Sequence, residues 1–147
     1  MVIKLDMSKA YDKVEWIFLE KLMLRMGFCK KWVGWIMECI SSVSYAVNVN
    51  GEKKGFIKPS RGLRQGDPLS PFLFLICAEG FSALLNQAVK QGRLTDLQLS
   101  SGGPSLCHLF FADDSLIFCK AKEEQAMQLM EVLRKYGAAL GQLINTE

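Results

Sequence analysis

The sequence predicts an α+β fold, and three observations predict it. Apolar residues recur at strand spacing on either side of two turn signals, Asn50-Gly51 and Asp113-Asp114. Elsewhere they recur at helical spacing over longer stretches. Strands and helices follow one another without strict βαβ alternation, so an antiparallel arrangement with helices packed on it is expected.

Val2 to Asp6 is short and apolar and reads as a strand that ends in a carboxylate. Lys13 to Met26 places Val14, Ile17, Phe18, Leu22 and Met26 at helical spacing, with Gly27 as a stop. Lys31 to Ile40 reads as a second helix, with Trp32, Trp35, Ile36 and Cys39 on one side. Val43, Tyr45, Val47 and Val49 alternate with polar residues up to Asn50-Gly51, so Phe56-Ile57 falls on the returning strand of a hairpin. Residues 61–71, RGLRQGDPLSP, are punctuated by glycine and proline and read as a loop. Phe72 to Lys90 follows as an apolar helix. Leu94, Leu97 and Leu99 mark a weak extended segment, and Ser100 to Pro104 a turn. Leu106 to Lys120 reads as two apolar strands flanking Asp113-Asp114. Glu123 to Tyr136 is amphipathic, with Met127, Met130, Val132 and Leu133 offered to a core.

At 147 residues the chain fits a single domain, by a prior of roughly 100–200 residues each. Half of it is hydrophobic and 22% is charged, which excludes global disorder. A net charge of +3 permits a nucleic-acid partner without requiring one. The five cysteines are widely spaced, form no CxxC, and stand beside one histidine, His108. A zinc finger and a dense disulfide framework are therefore excluded, and reduced thiols in an intracellular compartment, nucleus or cytoplasm, are expected. The apolar stretch from Leu69 to Leu85 contains Ser70, Pro71, Glu79 and Ser82 and reads as a buried helix, so no membrane partner is expected. The first residues lack the basic start and apolar run of a secretory signal. Met1 opens almost directly into a strand and Glu147 closes the chain without a tail, as in a compact domain or a piece of a larger one.

Asp113 and Asp114 are two acids inside the apolar run LFFADDSLIF. Carboxylates in such surroundings are costly unless paired, hydrogen-bonded or bound to metal. A polar hairpin turn is the alternative reading, since aspartate is a common turn residue. Asp6 ends the first strand, so three carboxylates could converge at one end of a sheet. Such a set can hold two Mg²⁺ ions about 3.5–4 Å apart for in-line phosphoryl transfer. Mg²⁺ takes oxygen ligands and completes its shell with water and substrate phosphate.

Lys53, Lys54, Lys58, Arg61 and Arg64 fall in a window without acids, immediately before Gln65-Gly66-Asp67-Pro68. Glycine allows close backbone approach, and the Gln65 amide both donates and accepts. Together they suit contact with a phosphate backbone and a base or sugar. The alternative is a solvated hairpin followed by an ordinary loop.

Four stretches in this order resemble the palm of a non-LTR (LINE-type) retrotransposon reverse transcriptase, most like plant copies. KLDMSKAYDKVEW (4–16) resembles the first palm motif and RGLRQGDPLSPFLF (61–74) the second. FADD (111–114) resembles the polymerase aspartate box, and GQLIN (141–145) the start of the next motif. The resemblance implies residues 1–147 as a partial reverse transcriptase domain, a palm-like antiparallel sheet packed against helices with fingers and thumb largely absent. It implies RNA-directed DNA polymerisation on an RNA template and a DNA primer, with dNTPs as substrate and two Mg²⁺ ions, Mn²⁺ being the substitute. Carried over residue by residue, Asp6, Asp113 and Asp114 match the catalytic, metal-binding carboxylates, Asp113 the more direct ligand of the pair. Tyr11 matches the aromatic against the incoming sugar, where its ring would clash with a 2′-hydroxyl. Gln65 and Gly66 match the loop at the incoming nucleotide and template. Arg61 and Arg64 support that loop or a nucleic-acid backbone. Lys4 and Asp12 are assigned structural roles, and Trp16, Trp32 and Trp35 are assigned to the core.

The basic fingers residues that hold the triphosphate, and a thumb, have no counterpart in this stretch, so the isolated chain is expected to be inactive. The alternatives are a non-catalytic remnant that binds RNA or a protein partner, and an unrelated Mg²⁺-dependent phosphotransferase or nuclease.

Overall fold

The computed structural model of the chain describes residues 1–6, 10–111 and 114–141. Along the chain run β1 (Val2–Asp6), α1 (Trp16–Arg25), α2 (Lys30–Ser41), β2 (Tyr45–Val49), β3 (Glu52–Ile57) and α3 (Ser70–Lys90). β4 (Leu97–Gln98), β5 (Ser105–Leu106), β6 (His108–Phe111), β7 (Asp114–Phe118) and α4 (Glu123–Leu140) follow. The fold is a mixture of helices and antiparallel sheet, as the sequence predicts.

The first strand does not pair with its sequence neighbours. It crosses to the far end of the chain and lies antiparallel to β7, giving a three-stranded sheet of order β1-β7-β6. β2-β3 and β4-β5 form separate two-stranded ribbons. Burial alternates along the three-stranded sheet, because successive side chains point to opposite faces. Ile3, Leu5, Ser115, Ile117, His108 and Phe110 share the covered face, by register and burial. Val2, Lys4, Asp6, Asp114, Leu109 and Phe111 share the other, open face.

The covered face packs on helices. Phe81 of α3 is fully buried between two rings, Phe110 of β6 at 5.4 Å and Tyr136 of α4 at 4.6 Å. The Tyr136 hydroxyl donates to the Cys77 carbonyl at 3.1 Å, so this buried phenol is satisfied. Burial pushes the Tyr136 hydroxyl up from its ordinary value, and the Cys77 thiol up to about 12. α1 crosses α3 at Gly80, where an added Cβ would come within 3.0 Å of Leu22. By length and composition alone α3 could cross a membrane; here Leu73, Phe74, Cys77, Phe81, Leu85 and Ala88 of it are core residues.

Several predicted faces are corrected. α1 begins at Trp16, and its buried edge is Leu19 and Met23, with Ile17 and Met26 exposed. α2 buries Val33 and Ile36, while Cys39 is exposed. Trp35, assigned to the core, is 59% exposed with the Lys31 ammonium 5.2 Å from its ring. Trp32 is half-buried and stacks on Phe28. α4 runs on to Leu140 and buries Leu129, Val132, Leu133 and Tyr136, leaving Met127 and Met130 exposed. In each helix the spacing gives a stripe, and which neighbouring stripe turns inward depends on partners distant in sequence. All five cysteines are free thiols.

Candidate active site

Asp6 closes β1 and Asp114 opens β7. The antiparallel register puts them directly opposite one another on the open face of the sheet. Like charges so placed repel. Lys4 lies two residues before Asp6 on the same face and sets its ammonium 3.1 Å from Asp114 Oδ1. With side chains 63% and 44% exposed, that ion pair contributes about 0–1 kcal/mol. Phe111 of β6 is the register partner of Asp114 on its other side, and is 83% exposed. Asp113 and Ala112 join β6 to β7 and lie outside the described residues, as do residues 142–147 of the last matching motif. Among the described residues no three His, Cys, Asp or Glu side chains come together to hold a metal ion. The donors that do face one another are carboxylate oxygens at an exposed sheet end, which suits a hard divalent cation.

A backbone clamp ties the first motif to the second. The Gly62 amide donates to the Val14 carbonyl at 2.8 Å, and the Leu63 amide to the Tyr11 carbonyl at 2.8 Å. The Trp16 indole donates to the Gly62 carbonyl at 2.8 Å. Gly62 has φ +87°, and a Cβ there would sit 2.8 Å from the Asp12 carbonyl oxygen. Only glycine meets both conditions without strain. The Arg61 guanidinium reaches Glu15 at 3.4 Å, and the Glu15 amide donates to Leu140 at the end of α4 at 3.3 Å.

The remaining predicted residues sit around this clamp. Tyr11 is half-buried, its ring stacked on Phe74 of α3 at 4.7 Å and 17°. Gln65, Arg61 and Arg64 line a cavity of about 310 Å³ together with Asp12, Tyr45, Pro59, Gly62 and Leu63. Arg64 also lies over the Tyr45 ring at 5.8 Å. Gly66 is exposed at φ +84° with open space beside its α-carbon. Asp67 accepts from the Leu69 amide at 2.8 Å and so shapes the entry to α3. The structure thus brings Asp6 to Asp114 and Gln65 to both arginines. Asp6 and Asp114 are not among the residues lining the Gln65 cavity.

Lys4, Glu15, Trp16 and Gly62 were not singled out as site-building residues by the sequence. Gly62 carried a signal, a glycine between two arginines, but its partner Asp12 is far upstream. Lys4 carried one too, two residues from Asp6 on a strand, hence on the same face.

Two facing carboxylates on an open antiparallel sheet, and a basic glycine-rich loop elsewhere in the same chain, are the kinds of group that phosphoryl-transfer domains use. The sequence profile of the reverse transcriptase (RNA-dependent DNA polymerase) family matches residues 1–147. The chain belongs to this family. An uncharacterized mitochondrial protein of Arabidopsis thaliana is 52% identical over 67 residues, 46% of this chain and 55% of that protein. The transposon TX1 uncharacterized 149 kDa protein of Xenopus laevis is 30% identical over 97% of this chain. A Pol polyprotein from the type-1 retrotransposable element R2 of Nasonia vitripennis is 29% identical over 81% of it. The chain spans about half of the plant relative and about a tenth of the other two. These relatives place it with the non-LTR retroelement reverse transcriptases. Membership in this family removes the unrelated phosphotransferase or nuclease from consideration.

Proposed function

We propose that the chain is a palm-like catalytic segment for RNA-directed DNA synthesis, with Asp6, Asp113 and Asp114 as the carboxylates that hold two Mg²⁺ ions. The observation that carries this reading is the register pairing of Asp6 with Asp114, residues far apart in sequence. Asp113 is adjacent to Asp114 in the chain and completes the oxygen donor set. When bound, the ions supply a lowered pKa for the primer 3′-hydroxyl and offset charge on the triphosphate and its leaving pyrophosphate.

The chain's own residues then bind and position. The carboxylates would hold the ions, whose charge would offset theirs in place of the Lys4 ammonium. The Tyr11 ring, braced by Phe74, excludes a 2′-hydroxyl from the incoming sugar. Gln65 and Gly66 contact the incoming nucleotide and template, and Arg64 a phosphate. Arg61 holds the loop through Glu15. Catalysis of this kind rests on positioning and electrostatic stabilisation. The carboxylate pair sits exposed on an open sheet face, so this segment alone would position primer and template weakly, and the isolated chain is expected to be inactive.

The test grafts residues 1–147 in place of the matching segment of an active R2-type reverse transcriptase and follows primer extension on an RNA template. Incorporation is expected from the chimera and not from the isolated chain. Asp6→Asn and Asp113→Asn are each expected to abolish it. Incorporation that persists in Asp113→Asn overturns the metal assignment. An inactive chimera beside RNA binding by the chain supports the non-catalytic remnant instead.

A further inference from the structure

The β2-β3 ribbon has a feature that the carboxylate site does not use. Tyr45 pairs with Ile57 and Ala46 with Phe56, but Val47 pairs with Lys54 and Asn48 with Lys53. One residue of β3, Gly55 at φ +67°, is therefore extra, a bulge in the left-handed region that suits glycine. Its consequence is a change of face. In a regular strand Lys53 and Phe56, three residues apart, point to opposite sides. With the bulge both lie on one face, with Ala46 and Asn48 across from them.

On that face Phe56 is 82% exposed, and its cross-strand neighbour is only an alanine, so the ring is left uncovered. Lys53 and Lys58 are exposed and have no ion-pair partner among the described residues. Glu52, the acid of the ribbon, is engaged with Lys54 at 3.3 Å. The basic run then continues through Arg61 and Arg64 at the Gln65 cavity.

We propose that this face, with Phe56 as the platform, Lys53 and Asn48 beside it and Lys58 just beyond the end of β3, binds single-stranded RNA. An open aromatic face stacks with an unpaired base, and flanking lysines take the phosphates. The Asn48 amide offers a donor and an acceptor to a base edge. A protein interface is the poorer match, because the centre of such a patch is depleted in lysine. A duplex is poorer as well, since its bases are already stacked on one another. That the strand is RNA, and that it is the template, rests on the polymerase reading; the binding of an unpaired strand does not.

The test is fluorescence anisotropy with a labelled RNA strand of about 12 nucleotides, titrated with the 147-residue chain. Phe56→Ala is expected to weaken binding about 5- to 150-fold, and Phe56→Trp to restore it. Lys53→Ala is expected to lower the slope of log affinity against log salt by about 0.7. Phe56 is exposed, so the variants keep the wild-type far-ultraviolet circular dichroism. Phe56→Leu keeps an apolar side chain without a ring face and is expected to bind as weakly as Phe56→Ala. Binding by Phe56→Ala or Phe56→Leu equal to that of the wild type overturns the proposal. So does preference for duplex RNA or for a deoxy strand alone, or a dimer in sedimentation that Phe56→Ala dissociates. An inactive chimera with intact, Phe56-dependent binding removes the polymerase reading and leaves this one standing.

Discussion

Asp6 and Asp114 face each other across β1 and β7, and Lys4 balances only one of them. The pair is therefore unfavourable without a cation, and on the proposed two-metal reading it becomes favourable with one. Asp6→Asn has opposite effects in the two conditions. In chelator it is expected to be neutral or to stabilise by about 0.2–1 kcal/mol, the cost of like charges placed opposite in a sheet. With Mg²⁺ at ten times its dissociation constant, the wild type gains about 1.4 kcal/mol. Asp6→Asn loses that gain. Thermal unfolding with and without Mg²⁺ checks both signs. Asp6 is the better probe, because Asp114→Asn also breaks the Lys4 ion pair.

Stability is expected to be greatest between the ordinary histidine and thiol values. Burial holds Cys77 at about 12 and Cys107 at about 11, with Asp96 and Cys119 adding to the shift of Cys107, against an ordinary 9.0. The unfolded chain then releases protons that the folded chain keeps. Stability is full below the ordinary thiol value and falls as pH rises through 9. His108 is shifted the other way: burial lowers it from 6.5, although Glu79 opposes this. The unfolded chain binds that proton first, so stability also falls as pH drops below 6.5. Cys77→Ala is expected to remove up to one proton from the alkaline slope, about 1.4 kcal/mol per pH unit. Urea unfolding across the pH range measures it.

The elements that were legible in the sequence are those specified by local chemistry. Asn50 and Gly51 adopt φ 53° and 86°, the conformation that their residue types favour in a tight hairpin. Val2–Asp6 is a strand with the predicted bounds, and α3 starts two residues before the predicted Phe72. What was not legible is set by partners distant in the chain. Trp35 has the same character as Trp32, yet only Trp32 packs against the core. The start of α1 moves to Trp16 because residues 10–16 are held by the loop at Gly62. At the candidate site the aspartates were legible as residue types in a family pattern. The pairing of Asp6 with Asp114 needed the β1-β7 crossover, which spacing cannot give.

Phe81 joins the sheet to both long helices, stacked on Phe110 and on Tyr136. Phe81→Ala is expected to cost about 3–5 kcal/mol, the range for a buried aromatic removed from a core. Tyr136→Phe keeps the ring and loses only the donor to the Cys77 carbonyl. Its expected cost is about 0.5–1.5 kcal/mol. Chemical denaturation separates the two. Equal costs would mean that the hydroxyl, not the stack, carries the contact.

Two glycines test the clamp between the motifs. Gly34 lies within α2 with nothing within 4 Å of an added Cβ. Gly34→Ala is therefore expected to stabilise by about 0.5–1 kcal/mol, the helix preference for alanine. Gly62 is in the left-handed region, and its Cβ would meet the Asp12 carbonyl at 2.8 Å. Gly62→Ala combines backbone strain of about 1–3 kcal/mol with a contact that the Asp12 backbone must yield to. The hydrogen bonds from Gly62 and Leu63 to Val14 and Tyr11 run through the same backbone. The damage should therefore reach Trp16, whose indole donates to the Gly62 carbonyl. Denaturation gives the stability loss. Hydrogen exchange gives its location, with faster exchange at the Gly62 and Leu63 amides and the Trp16 indole and little change in α4. Protection of those groups equal to wild type would mean that the loop is held from elsewhere.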